Sequence, residues 1–202
     1  MKTGEKHSHA APRPVATTRV VPSRLDQAAQ TGRFGALVLE LVTVSDYEMF
    51  QKRGSSVTST NTFITTIVNN INGIYETELG ITLKVVLSTV YQSPNDPFTS
   101  GQTVDPTVAL TEFQNYWNAQ GSVYGDLVHM FTGRTLEPPT IGISYVGVVC
   151  DKSFGYGISM TEIPSQYRTV VTAHEIGHNL GADHDPLGSN FIMAPVANTS
   201  TH

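Results

Sequence analysis

The stretch HEIGHNLGADH, residues 174–184, places three histidines and a glutamate within eleven positions. If this segment is helical, His174 and His178 lie on one face, because four residues turn an α-helix by about 400°. Two imidazoles so placed can bind one metal ion. Glu175 lies one step round the helix from His174. It would therefore flank the metal rather than bind it, as suits a general base acting on metal-activated water.

His184 completes the set only if the helix ends before it. On a continued helix it would point about 120° away from His178 and lie about 9 Å farther along the axis. Gly181 resolves this, because glycine adopts the left-handed conformation that ends a helix and turns the chain back. Three histidine nitrogens leave a fourth zinc position open, which is the pattern of a catalytic site. A lone histidine pair is as often a surface or core feature, but the complete pattern disfavours that alternative.

Hydrophobic periodicity predicts alternating strands and helices around this segment. Residues 35–45 are almost continuously apolar and predict a buried strand, and residues 81–92 predict a second. Between them, apolar side chains recur at three- and four-residue steps, which predicts an amphipathic helix. The residues of this stripe are Ile64, Ile67, Val68, Ile71, Ile74 and Tyr75. Helices are also predicted at PTVALTEFQNYWNAQ and SQYRTVVTAHEIGHNLG, and strands at 126–133, 140–149 and FGYGISM. This order predicts an α/β sandwich with a mixed sheet.

Composition and charge narrow the possible partners. Residues 1–33 carry a balance of +4 within a chain of net charge −5, so the remainder carries −9 and offers no basic surface for nucleic acid. No apolar run approaches the roughly 20 residues that cross a bilayer, and no signal peptide is visible at the N-terminus. The lack of hydrophobic periodicity in residues 1–33 predicts a flexible tail or linker. His7 and His9 are interpreted as solvated residues of this tail. Residues 34–202 are then one folded domain.

The complete motif resembles that of the metzincin zinc endopeptidases. Asp185, directly after the third histidine, makes it most similar to the adamalysin/reprolysin family, the ADAM-like and snake-venom metalloproteases. The resemblance extends in order over residues 36–195. It implies a twisted, mixed five-stranded sheet with an active-site helix. FIMAP, residues 191–195, resembles the family's Met-turn and would place Met193 as a buried apolar floor beneath the metal; a gap-filling core methionine is the alternative.

The resemblance also implies the chemistry and the partners. One catalytic zinc ion would be bound by His174, His178 and His184, with Glu175 as the general base. The substrate would be an extended protein or peptide bound along an edge strand, for which GISYVG (142–147) is the candidate. An ordinary internal strand is the alternative interpretation of that segment. We expect a monomer that is secreted or extracellular.

The sequence departs from the family pattern in several places. Cys150 occupies a position where family members have a disulfide-bonded cysteine, but no other cysteine is present to pair with it or to hold the enzyme latent. The family's final helix after the Met-turn is expected to be missing from the domain. Glu40 and Asp126 match positions that bind calcium in some relatives; a buried ion pair or hydrogen bond at Glu40 is the alternative. His129, on a predicted strand, is interpreted as a core or edge residue.

These observations predict a zinc-dependent endopeptidase that uses a metal-activated water and Glu175 as the general base. The alternative is a truncated, weakly active or inactive module that binds zinc and peptide. The intact Glu175 favours the enzyme, and the short C-terminus favours the module. A zinc hydrolase of non-peptide amides is a third hypothesis, which the predicted edge strand disfavours.

Overall fold

The computed structural model describes residues 37–98, 101–121 and 125–197, so the predicted N-terminal tail lies outside the described residues. The helices are α1 (Tyr47–Lys52), α2 (Val57–Glu78), α3 (Pro106–Ala119) and α4 (Ser165–Leu180). The strands are β1 (Leu37–Ser45), β2 (Ile81–Val90), β3 (Thr103–Val104), β4 (Leu127–Thr132), β5 (Thr135–Leu136), β6 (Gly142–Ser144) and β7 (Tyr156–Met160).

Five of these strands form one mixed sheet in the order β2-β1-β4-β7-β6. The neighbours from β2 to β7 are parallel, and β6 pairs antiparallel with β7 at the edge. This confirms the predicted α/β fold with a mixed five-stranded sheet. Among the described residues β6 pairs with β7 alone, so the first part of the 142–147 segment is an edge strand.

The prediction of a strand over residues 140–149 is wrong in its length: the observed strand β6 is shorter and covers only Gly142–Ser144. The following residues leave the sheet and run to the C-terminal end of α4. There Gly147 donates its N–H to the carbonyl of His178 at 2.8 Å, and Val148 donates to the carbonyl of Asn179 at 2.9 Å. The last carbonyls of a helix have no partner within it. The N–H groups of Gly147 and Val148 bond to these carbonyls, and therefore do not extend the strand.

Two hydrophobic clusters hold the sheet between its helices. The helix α2 buries most of its predicted stripe against one face, but Ile74 remains only partly buried. The same cluster includes Ala173 and Ile176 of α4, which brings the histidine-bearing helix onto this face. On the other face the predicted helix α3 buries Phe113 and Trp117. No helix within the described ranges is both long and apolar enough to cross a membrane.

Candidate metal centre

The helix α4 places His174 and His178 on the same face, and both are buried. The helix ends where the sequence predicts, because Gly181 adopts a left-handed φ of 102°. Its N–H bonds the carbonyl of His178 at 2.8 Å, and the N–H of Ala182 bonds the carbonyl of Gly177 at 3.0 Å. These two bonds form the turn that glycine favours at a helix C-terminus. The chain therefore reverses and brings the next residues back toward the helix.

The returning chain carries His184 to the two helical histidines. Its Nε2 lies 3.1 Å from Nε2 of His174 and 3.1 Å from Nε2 of His178. A tetrahedral zinc ion with Zn–N bonds near 2.05 Å separates its nitrogen ligands by about 3.3 Å. The two measured spacings are close to this value, and all three ligand atoms lie within 4.8 Å of one another, which is compatible with one shared zinc ion. In the part of the chain that the structure describes, these three residues form the one group of three or more metal-ligating side chains.

Backbone carbonyls orient both helical imidazoles. Nδ1 of His174 lies 2.7 Å from the carbonyl of Ile192, and Nδ1 of His178 lies 2.7 Å from the carbonyl of Ala182. Because a carbonyl oxygen only accepts hydrogen bonds, each Nδ1 carries the proton in these contacts. In the neutral ring Nε2 then presents its lone pair. This arrangement of a metal ligand and a supporting carbonyl is the usual one for histidine, so the residues fit zinc.

Glu175 lies buried between α4 and the edge strand β6, outside the group of ligand nitrogens. Its Oε2 accepts a 2.7 Å hydrogen bond from the hydroxyl of Ser144. A Cβ atom added to Gly142 would lie 2.5 Å from Oε1 of Glu175, so only glycine leaves space for this carboxylate. The structure therefore brings the three predicted ligands together and holds the carboxylate of Glu175, the residue after His174, against β6.

Met193 passes beneath α4, where a Cβ atom on Gly177 would lie 2.6 Å from its Sδ. The carbonyl of Met193 accepts a 2.9 Å hydrogen bond from the N–H of Asp185, which joins this turn to the segment of the third histidine. The expectation that Met193 is buried is wrong, because its side chain is only partly buried. It lines an open, mainly apolar groove of about 1030 Å³ between α2 and α4.

Asn179, Ser144 and Tyr75 also stabilise the site, although none of them is a defining residue of a motif identified in the sequence. Asn179 is buried, and its amide donates to the carbonyls of Tyr145 at 2.8 Å and Tyr156 at 3.1 Å. It thereby fixes α4 against β7 and the segment after β6. Its position four residues after Glu175 places both on one helix face, which is the signal that sequence analysis could have used. Ser144 contacts Glu175 only through the tertiary fold, so the sequence held no comparable signal.

Tyr75 of α2 supports the helix from the opposite side. Its hydroxyl donates to the carbonyl of Ala173 at 2.6 Å. Burial, and secondarily the nearby charge of Glu175, raise the pKa of Tyr75. The hydroxyl therefore stays protonated at neutral pH and remains a donor. The sequence predicted this residue only as part of the apolar stripe.

The interpretation of His129 as a core residue is confirmed. The ring is buried on β4, and its Nε2 lies 2.9 Å from the hydroxyl of Ser159 on β7. Burial lowers the pKa of His129 to about 3.

Glu40 and Asp126, which match calcium-binding positions in some relatives, are joined to each other through the backbone of Glu40. Oδ2 of Asp126 accepts the N–H of Glu40 at 2.9 Å, and Oδ1 accepts the thiol of Cys150 at 3.3 Å. Cys150 is exposed and has a left-handed φ of 63°. Partial desolvation of the thiol, together with the neighbouring Asp126, raises the pKa of Cys150. Neither acidic residue belongs to a group of metal-ligating side chains within the described ranges, so calcium gains no support.

Comparison with known proteins places this site in a family. The reprolysin family model, described as "Metallo-peptidase family M12", matches residues 38–201. The chain belongs to this family of metallopeptidases. Membership confirms the resemblance seen in the motif and supports zinc-dependent proteolysis as the general activity of such domains.

Individual relatives agree with this assignment. The chain is 29% identical over 143 residues to "Disintegrin and metalloproteinase domain-containing protein 22" of human and of mouse. The match covers 71% of this chain but only 15% of each relative's length. A solved structure titled "Structure of a chaperone-substrate complex" matches 77% of this chain and 25% of that chain, with a TM-score of 0.58 and 18% identity. This last similarity concerns the fold alone.

Proposed function

We propose that the domain formed by residues 34–202 is a zinc-dependent endopeptidase that hydrolyses extended protein or peptide substrates. The observation that carries the proposal is the convergence of His174, His178 and His184 on one point, with the buried Glu175 directly after His174 on the same helix. The three imidazoles would hold one zinc ion. Bound zinc supplies a Lewis acid that polarises the substrate carbonyl and makes a water molecule more acidic.

Backbone carbonyls and Glu175 supply the other catalytic functions: the carbonyls orient the ligands, and Glu175 transfers the proton. The carbonyls of Ile192 and Ala182 hold the imidazoles of His174 and His178 with their Nε2 lone pairs toward the metal position. Glu175 takes a proton from the attacking water on one carboxylate oxygen and delivers it to the leaving amine nitrogen. The peptide C–N bond breaks, and the water oxygen remains on the new carboxyl group.

The edge strand β6 supports an extended peptide as the substrate. Within the described residues β6 pairs with β7 on one side, so its other side offers backbone groups to a further strand. Binding of this kind depends on the backbone of the peptide and places few demands on its sequence. On the basis of family membership we also propose that the domain is extracellular and acts as a monomer. Size-exclusion chromatography tests the oligomeric state.

The central test is Glu175→Gln, which removes the base but keeps the shape of the side chain. We expect zinc content to stay at one ion per chain, while kcat/KM for a quenched peptide falls by about 10² to 10⁴, the usual contribution of a general base. The chelator 1,10-phenanthroline should inhibit the parent protein. Cleavage by Glu175→Gln at the parent rate would refute the assigned role. If the parent binds zinc and peptide but cleaves nothing, a zinc- and peptide-binding module replaces the enzyme.

A further inference from the structure

We propose that the edge strand β6 also positions the general base, with Ser144 as the positioning residue for Glu175. This inference rests on the proposed endopeptidase function. Ser144 and Gly142 are two residues apart on β6, so they share one face of the strand. Both meet Glu175 on that face: the Ser144 hydroxyl donates to Oε2 at 2.7 Å, and the bare Cα of Gly142 leaves space for Oε1 and Cγ.

The two contacts fix different properties of the carboxylate. The absence of a side chain at Gly142 allows Glu175 to approach β6 closely, since an added Cβ would lie 2.5 Å from Oε1 and 2.8 Å from Cγ. The hydrogen bond from Ser144 sets the rotation of the carboxylate about its own axis. A hydrogen bond to an ionised carboxylate is shorter and stronger than one between neutral groups. Both Ser144 and Glu175 are fully buried, so water does not compete for this bond.

The neighbouring strand and the helix hold Ser144 itself in place. In the register of β6 and β7, Ser144 lies opposite Gly157, where an added Cβ would come within 3.2 Å of the Cβ of Ser144. The next residue, Tyr145, accepts a 2.8 Å hydrogen bond at its carbonyl from Asn179. Glu175 and Asn179 are four residues apart and lie on one face of α4. This face is therefore joined to β6 and the residue after it by two hydrogen bonds.

This connection links substrate binding to base position. A peptide that adds to the free edge of β6 is aligned by the backbone of the same strand on which Ser144 and Gly142 hold Glu175. The scissile bond and the base are then placed relative to the same few residues. Displacing a catalytic group by about 1 Å can lower a rate by about 100-fold. Loss of the Ser144 hydroxyl alone, with Gly142 still in place, should cost less.

The test compares Ser144→Ala with Ser159→Ala. Ser159 is a matched control because it is also a buried strand serine, but its hydroxyl contacts His129 rather than Glu175. We expect Ser144→Ala to lower kcat for a quenched peptide about tenfold, with KM changed less than twofold and zinc content unchanged. Ser159→Ala should keep kcat within twofold of the parent. Thermal unfolding of both variants reports any general loss of stability.

Two further variants separate positioning from other roles. In the Glu175→Gln background, Ser144→Ala should have no additional effect on kcat, because the carboxylate that it positions is absent. Gly142→Ala should lower kcat more than tenfold with zinc retained, because the new methyl group displaces Glu175. If Ser144→Ala and Ser159→Ala have equal kcat, or if only KM rises, the positioning role is wrong. Failure of the parent to cleave peptide would instead refute the proposed function itself.

Discussion

Two glycines set the distances around the candidate metal centre. Gly142 leaves the space that the carboxylate of Glu175 occupies, and Gly177 leaves the space for the sulfur of Met193. In each case a single methyl group would come within 2.6 Å of the neighbouring atom. Neither glycine has a positive φ, so the requirement is for space rather than for an unusual backbone conformation. The position of Glu175 thus depends on the lack of a Cβ atom at Gly142 of β6.

The buried side chain of His129 makes the stability of the folded protein depend on pH. Its pKa is about 3 in the folded protein, compared with an ordinary value of 6.5. Below pH 6.5 the unfolded chain therefore binds a proton that the folded protein does not. The stability contributed by the neutral ring is complete above this pH and is lost as the pH falls from 6.5 toward 3.

The variant His129→Gln should have a shallower acid dependence of stability. The difference in the free energy of unfolding between the two proteins should change by up to about 1.4 kcal/mol per pH unit between pH 6.5 and pH 3. Urea unfolding of parent and variant at pH 7, 5.5 and 4.5 measures it. The histidines of the metal centre are common to both proteins and cancel in the comparison. Parallel pH curves would show that His129 does not remain neutral in the folded state.

The end of α4 determines whether three histidines can meet. Gly181 turns the chain with a φ of 102°, and the N–H groups of Gly147 and Val148 satisfy carbonyls at the same helix end. The helix, the turn and the segment after β6 therefore depend on one another. Since His178 and His184 lie on opposite sides of this turn, its geometry sets the distance between their nitrogens.

Gly181→Ala tests the turn, with Gly188→Ala as its matched control. Gly188 also has a positive φ, of 88°, and open space around its Cα, but it lies outside the segment that joins the two histidines. Both substitutions should destabilise the protein by about 1 kcal/mol, because alanine is strained in this conformation.

Only Gly181→Ala should also weaken zinc binding, by at least tenfold in a competition assay with a chelating dye. This expectation follows because only that variant moves His184 relative to α4. Equal zinc affinity in the two variants would show that the three histidines converge without the glycine turn.

At the scale of the whole molecule, the metal centre joins α4 to the two segments that follow it in the chain. The histidine ligands come from α4 and the returning loop, while Ile192 and Met193 attach the final turn to both. Zinc that binds the folded state alone should therefore stabilise the entire domain. At a free zinc concentration of about 100 Kd, the free energy of unfolding should rise by about 2.7 kcal/mol.

For a domain of this size, that gain corresponds to a Tm increase of roughly 5–10 °C. Differential scanning calorimetry with zinc, and after EDTA treatment, measures it. The variant His178→Gln is the control and should show almost no response to zinc. A Tm that is equal with zinc and with EDTA in the parent would contradict the proposed metal site.

The sequence alone determined the local part of this protein. The spacing of His174 and His178, the base between them and the glycine that ends the helix are all contained in eleven consecutive residues. Helical geometry converts such short spacings directly into positions in space. The amphipathic stripe of α2 and the apolar strand β1 are predictable for the same reason, because their periods repeat within a single element.

The tertiary structure decided everything that depends on residues distant in the chain. Ser144 and Glu175 are separated by 31 positions, and their hydrogen bond exists only because β6 packs beside α4. The shortening of β6 has the same origin, since the carbonyls at the end of α4 compete for the N–H groups of the following residues. The partial exposure of Met193 likewise depends on how α2 and α4 pack around the groove. Local spacing therefore placed the ligands, and packing between elements placed the groups that orient the base.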